Sequence, residues 1–340
     1  MFKKMMFVVL IAVFVLSMVG CGTDAQPAAT EAAQPAAEKS DQVAVSLGWQ
    51  ENESGQRFTE GYEAAFKELG WKYTVSNANY DPKLQTEQID AFIKLNPKAL
   101  FVTCSDPVGI TQAVQRAIDA GIPVFTADCN IAGIKQITSI ASNNYGMGMY
   151  TMRYIAEKVG GKGKVGMIGL PNNETWDLRE LGARYVLTNY PGIETVYWPY
   201  DSTGAVTPRQ AIENMMTANP DLVAIWSAWD GAAMEGALAA EQAGKNDIIF
   251  TGIDGGQRAF EQIQTDGPFK LSMAQSIYWM AYKSAYYAKD YVEGKKVPRF
   301  VVAPVYAADK ELLDAVPAGM NAADYDIPGM EVELDWIPVL

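Results

Sequence analysis

Polar and aromatic side chains stand at one recurrent place in this chain, the point where an apolar run stops. The run Ile248–Gly256, IIFTGIDGG, reaches its polar tip at Asp254, set between Gly252 and the pair Gly255–Gly256. The same grammar recurs in Ala99–Asp106 (ALFVTCSD), Pro123–Asn130 (PVFTADCN), Lys164–Pro171 (KVGMIGLP) and Leu222–Asp230 (LVAIWSAWD). Such runs read as buried parallel strands, and open α/β sheets bind ligands just beyond the carboxyl ends of their strands. If these ends converge, they line a cleft with Asp, Asn, Arg and Trp. Carboxylates, amides and a guanidinium fork suit hydroxyl groups, which both donate and accept hydrogen bonds. A hydroxyl buried without partners costs about 1–3 kcal/mol, so a site built for hydroxyls rejects ligands that lack them. Trp49, Trp176 and Trp229 each lie just past a strand end, where an indole face can cover the apolar face of a pyranose. The chemistry expected is capture of a small, neutral, polyhydroxylated ligand.

Bond-making chemistry is poorly served. The chain contains no histidine, which excludes a Ser-His-Asp or Cys-His apparatus and removes the commonest general base and zinc ligand together. No cluster of metal ligands stands out, and no metal or cofactor is expected. The first strand lacks G-x-G-x-x-G, and the Gly160–Lys164 run GGKGK precedes a strand instead of following one, so it is not a phosphate loop. Lys and Arg total 27 against 40 Asp and Glu, a net charge of −13, which argues against a nucleic-acid partner. The chain is read as a binding protein, not an enzyme.

The elements that must position these residues follow from the order of the chain. With 340 residues and 49% hydrophobic content there is enough for two domains. Lys3 and Lys4 precede the apolar run Met5–Leu16, and Ser17–Cys21 follows. Residues 1–20 read as a bacterial secretory signal, whose apolar run is too short to span a membrane comfortably. In a lipoprotein reading Cys21 is the first mature residue and carries the lipid; an ordinary signal with an incidental cysteine is the competing reading. Residues 21–42, rich in Ala, Pro, Gln and Glu, cannot bury a core and read as a disordered tether.

Strand and helix then alternate. Val43–Trp49 is a strand. Phe58–Leu69 is a helix with Phe58, Tyr62, Phe66 and Leu69 on one face and Gly70 as its stop. The alternation runs through a fifth strand at Gln136–Ser142 and restarts with a helix at Tyr145. The class is α/β, two doubly wound parallel-sheet lobes of about five strands each. A long helix, Ile277–Glu293, carries Trp279, Tyr282, Tyr286, Tyr287 and Tyr291 as a packing stripe. Arg299–Tyr306 is a last strand, followed by an irregular tail. Residues 43–143 with 276–306 are expected to form one lobe, and 144–275 with 307–340 the other. Asp230 reads as a helix N-cap, Trp226 as core, and Trp176 as either a stacking platform or a lid edge.

The stretches GIPVFTAD, ITSIASNNYGMG and NPDLVAIWSAWDGAAMEGALAAEQAGKNDIIFTGIDG are, taken together, those of a family. From Val43 to Tyr306 the chain resembles the periplasmic sugar-binding proteins of the ribose-binding type, the substrate receptors of ABC importers, with the type I periplasmic-binding-protein fold. The resemblance implies ligand contacts from Asp128 at the end of the fourth strand, Arg179 in DLRELGARY, Asp254 and Gln275. It also shows departures. Cys129 stands where the ribose pattern has arginine, Trp229 where it has asparagine, and Trp49 and Asn52 where it has paired phenylalanines. A ligand other than ribose held in the usual way is therefore expected. The partners implied are a small carbohydrate, an ABC permease with its ATPase, and the membrane through lipid on Cys21. The protein is expected to be a monomer outside the cytoplasm. A nucleoside, polyol or quorum signal, for transport or signalling, is the alternative. Cys104 and Cys129 sit near the ends of strands that the family fold makes neighbours. A disulfide between them is left open, favoured by an oxidising compartment and opposed by strand-tip geometry. Asp254→Ala and Arg179→Ala are each expected to abolish binding with the fold intact.

Overall fold

Local signals set most of the element boundaries. In the computed structural model, which describes residues 39–171, 173–200 and 205–316, the first half runs β1 (Gln42–Leu47), α1 (Glu53–Leu69), β2 (Lys72–Asn77), α2 (Pro82–Leu95), β3 (Leu100–Val102), α3 (Pro107–Asp119), β4 (Val124–Ala127) and β5 (Thr138–Ala141). The second half runs α4 (Asn144–Lys158), β6 (Lys162–Gly169), α5 (Glu174–Leu187), β7 (Gly192–Pro199), α6 (Pro208–Ala218), β8 (Leu222–Ser227), α7 (Asp230–Gln242), β9 (Ile249–Asp254), α8 (Gln257–Gln264) and β10 (Phe269–Gln275). The chain closes with α9 (Ile277–Val292), β11 (Phe300–Val302), β12 (Val305–Asp309) and α10 (Lys310–Ala315). Asn52, Asp81, Asp106, Asn143 and Asn173 each accept a backbone N–H in the first turn of the helix that follows, the usual way of satisfying an orphan donor. Pro82, Pro107 and Pro208 open their helices, where a missing N–H costs nothing. The proposed signal, Cys21 and nearly all of the tether lie outside the described residues, as does the tail beyond Val316.

Two six-stranded sheets result, ordered β11-β5-β4-β3-β1-β2 and β12-β10-β9-β8-β6-β7. All described pairings between strands are parallel except β10 with β12. Helix α9 packs its Ile277, Met280, Ala281, Ala285 and Ala288 into the core of the first sheet. Within the described residues the chain therefore passes between the two lobes three times, at Ala141–Asn144, Gln275–Ile277 and Val302–Val305.

The last passage corrects the sequence reading. Arg299–Tyr306 is not one strand. It breaks at Ala303–Pro304, leaving Phe300–Val302 on the edge of the first sheet and Val305–Asp309 on the edge of the second. Proline lacks the N–H that a continuing ladder needs. The region after Ala307 is also ordered further than expected, through α10. The aromatic stripe on α9 is packing: Trp279, Tyr282, Tyr286 and Tyr287 lie against the first core, and the Tyr282 and Tyr286 hydroxyls both donate to Glu68 of α1. Trp226 is fully buried and donates its indole N–H to the Thr151 hydroxyl at 2.8 Å.

Candidate functional site

The residues singled out in the sequence gather at the facing strand ends, and Arg179 is the centre. It lies on α5, one turn into the helix, with only 1% of its surface exposed. Two glycines bring it there. A Cβ on Gly148 of α4 would collide with the Arg179 carbonyl, and one on Gly182 of α5 with the Tyr145 carbonyl. Only bare backbone lets α4 and α5 pack this closely. The guanidinium then donates through Nε to Asn144 Oδ1 at 2.9 Å, and through Nη1 to the Ala228 carbonyl at 2.7 Å and Asp254 Oδ1 at 2.9 Å. Gln275 Nε2 donates to the same Asp254 oxygen at 2.9 Å. Asp254, Arg179 and Gln275, drawn from the ends of β9 and β10 and from α5, are thus one connected group.

Asp128 faces this group from the first lobe. It follows β4 with φ of 47°, a left-handed conformation uncommon outside glycine. It is buried, and among the described residues its Oδ1 has no hydrogen-bond partner; neither has Gln275 Oε1. Burial pushes the Asp128 carboxyl up to about 6, with Arg179 pulling it down and Asp254 pushing it up. Burial also raises the Asp254 carboxyl, and Arg179 and Gln275 oppose that rise through charge and hydrogen bonds.

The aromatics divide into two groups. Trp49 stacks on Tyr80 with centroids 6.2 Å apart and meets Phe58 edge-on. Tyr80 sits in the β2–α2 loop with φ of 63° and is half exposed. Partial burial and the charges of Glu51 and Asp254 push its hydroxyl up to about 12, so it lies within electrostatic reach of the second lobe. Asn52 caps α1 through Oδ1 and donates Nδ2 to the Tyr80 hydroxyl at 3.2 Å. Trp176 and Trp229 stack on each other, centroids 4.4 Å apart and planes 17° apart, with Tyr200 packed on Trp229. At that spacing no ring fits between the two indoles. Each spends one face on the other, which the sequence did not show.

Asp230 is not the N-cap expected; Trp229 holds that position and Asp230 is the first residue of α7. Its buried carboxylate accepts the Gly255 N–H at 2.7 Å and the Ser272 hydroxyl at 2.8 Å, fixing the loop after Asp254. Burial and the Asp254 charge hold the Asp230 carboxyl above its ordinary range.

Among the described residues, three hydrogen bonds cross between the lobes at the rim. Asn173 Nδ2 donates to the Ser105 carbonyl at 3.3 Å, Asn130 Nδ2 to Glu174 Oε1 at 3.1 Å, and the Gln257 backbone N–H to Glu53 Oε1 at 2.5 Å. A groove of about 430 Å³ opens at this rim between α3 and α5, lined by Asp106, Val108, Glu174 and Leu181 among others; it lies outside the Arg179 group. Cys104 and Cys129 are joined in a disulfide with Cα atoms 5.2 Å apart. Sequence reasoning missed Asn144, Tyr80, Asn173 and Glu53. Asn144, in the SNNYG run after the fifth strand, and Asn173, two residues past the Lys164–Pro171 run, stood beside strand ends that the sequence had marked. Among the described residues no group of His, Cys, Asp and Glu could hold a metal ion, and no helix is long and apolar enough to cross a membrane.

Two lobes wound in opposite halves of the chain, exchanging strands across three passages, with a polar cluster between them, define a type I periplasmic binding protein. Residues 43–296 match the family model described as periplasmic binding protein domain, and the chain belongs to that family. It is 29% identical over 248 residues to the ribose import binding protein of Bacillus subtilis (strain 168), covering 72% of this chain and 80% of that protein. It is 24% identical over 236 residues to the D-apiose import binding protein of Actinobacillus succinogenes, covering 68% and 76%. Among solved structures, an ABC transporter solute-binding protein from Agrobacterium vitis bound with α-D-tagatopyranose superposes with a TM-score of 0.74 at 23% identity, covering 81% of this chain and 97% of that one.

Proposed function

We propose that this chain is the extracytoplasmic substrate receptor of an ABC importer, closing its lobes on a small carbohydrate. The observation that carries this reading is the Arg179–Asp254–Gln275 group opposite the unpartnered oxygen of Asp128. Donors and acceptors of both kinds face one another there, as a ring of hydroxyls requires. The relatives named for ribose and D-apiose import support the ligand class. Asp128, Arg179, Asp254 and Gln275 are assigned the hydroxyls. Trp229 with Trp176 behind it, and Trp49 with Tyr80, form the two aromatic walls. Asn52, with both polar ends engaged, acts by fixing Tyr80. The rim hydrogen bonds belong to the closed form, which a ligand favours by binding it better than the open one. Lipid on Cys21 anchors the receptor beside its permease and ATPase. The proposed lobes are residues 43–143 with 276–303 and residues 144–275 with 304–316, the last exchange falling at Ala303–Pro304.

A thermal-shift panel of pentoses, hexoses, polyols, nucleosides and amino acids tests the reading. A ligand at 100 times its Kd adds about 2.7 kcal/mol, which raises Tm by roughly 5–10 °C in lobes of this size. A sugar hit is expected. A nucleoside or amino-acid hit with the sugars silent overturns the carbohydrate assignment.

A further inference from the structure

We infer that the Cys104–Cys129 disulfide is a positioning element for lobe closure: it locks together the two first-lobe loops that grip the N-terminus of α5, and so sets ligand affinity. The inference rests on the receptor reading above for its link to affinity, and on geometry alone for its link to closure.

Cys104 lies just past β3 and Cys129 just past β4, neighbouring parallel strands. Both are buried, at 7% and 2% exposure. Each cysteine is followed by a residue that reaches the other lobe. Ser105, after Cys104, offers its carbonyl to Asn173; Asn130, after Cys129, donates its amide to Glu174. Asn173 and Glu174 are themselves consecutive, the N-cap and first residue of α5. That helix carries Trp176 and Arg179. Asp128 immediately precedes Cys129 and holds its left-handed backbone there, its N–H donating to the Ile140 carbonyl at 2.9 Å. One covalent bond thus fixes the spacing of two gripping points and lies next to the carboxylate that faces Arg179.

Without the bridge, the loops after β3 and β4 are tied only through their strands. Ordering them on closure then costs conformational entropy that the bridged protein has already lost. The bridge acts before ligand arrives, as preorganisation.

The test compares oxidised wild type, wild type reduced with a phosphine, and C104S/C129S, each alone and with Asn173→Ala, using D-ribose and D-allose as probes in calorimetry. Loss of the bridge is expected to weaken sugar binding by about tenfold, and Asn173→Ala by about fivefold in the bridged protein but less than twofold without the bridge, since residues sharing one network are non-additive. Unchanged affinity with a lowered ligand-free Tm would make the bridge a stabilising staple only and overturn the inference. Closure is read separately in ligand-free protein by single-molecule energy transfer between dyes on non-natural residues at the exposed positions Gln112 and Tyr185. Depletion of the closed population in C104S/C129S supports the inference; identical distributions overturn it. Wild type that binds neither probe nor any other sugar counts against the carbohydrate reading, while the ligand-free measurement still decides the role of the bridge.

Discussion

The two faces of the cleft are built differently. On the second lobe Arg179 is sealed in the interior, with three of its five N–H groups donating to Asn144, the Ala228 carbonyl and Asp254, and Asp230 pinning the loop behind. On the first lobe Asp128 has a buried oxygen without a partner among the described residues, and Tyr80 stands half exposed on a left-handed loop. The second-lobe face is the more complete framework, although Gln275 Oε1 has no partner among the described residues. In the proposed receptor, the other holds the groups whose partners would arrive with the ligand and with closure. In such a receptor a ligand would dock first on the second lobe, where less reorganisation is required, and the first lobe would close over it.

Breaking the more complete face should have the largest effect. Arg179→Ala leaves the partly buried Asp254 carboxylate without its cation, which costs up to about 3 kcal/mol, the low end for a broken buried pair. The structure thus revises the expectation that this change spares stability: ligand binding should vanish in calorimetry and the urea midpoint should fall with it. Arg179→Lys should not restore binding, because an ammonium cannot reach the Asn144, Ala228 and Asp254 oxygens together. Next comes Gly148→Ala, which forces α4 off α5 at the Arg179 carbonyl. Overpacking of this kind costs about 1–3 kcal/mol, and affinity should drop although no ligand contact is altered.

The first lobe should respond in the opposite sense. Asp128→Asn removes a charge that the fold disfavours. Burial raises this carboxyl to about 6, so its stabilising neutral form is fully present below the unfolded carboxyl range and is lost as pH rises through 6. At pH 7.5 the wild type bears the whole cost of the buried charge. The variant should melt about 3–6 °C higher there, with the gain fading towards pH 4, while sugar affinity falls. A lower Tm at pH 7.5 would mean that the two faces are equally satisfied and would end the comparison. The smallest effect is expected from Trp176→Ala, which loses an indole stack worth about 0.5–1.5 kcal/mol beyond its buried area and should weaken binding less than Asp128→Asn does.

How much of this was legible depended on range. Asp128 and Asp254 could be placed because each stands at the end of an apolar run, and strand ends are locally encoded, whereas Gln275 and Arg179 were placed through the family resemblance. Trp176 and Trp229 were visible as residues, but their mutual stacking was not, since they are 53 positions apart and come from different strand–helix units. Tyr80 was missed because its loop follows a strand, KYTVSN, whose exposed flank gives little apolar signal. The Ala303–Pro304 break was hidden inside a run of strand-forming residues.

By itself, then, the sequence determined the alternation of strands and helices, the caps, the stops and the strand ends that carry polar tips. These depend on apolar runs and on residues within a turn or two of each other, which the chain specifies wherever it folds. Only the tertiary structure decided that Arg179 holds three oxygens from separate segments, that Cys104 and Cys129 meet, and that Asn173 and Glu174 face the loops beside that bridge. Those pairings join residues tens of positions apart, and their geometry is set by how the two sheets and the close-packed α4 and α5 come together.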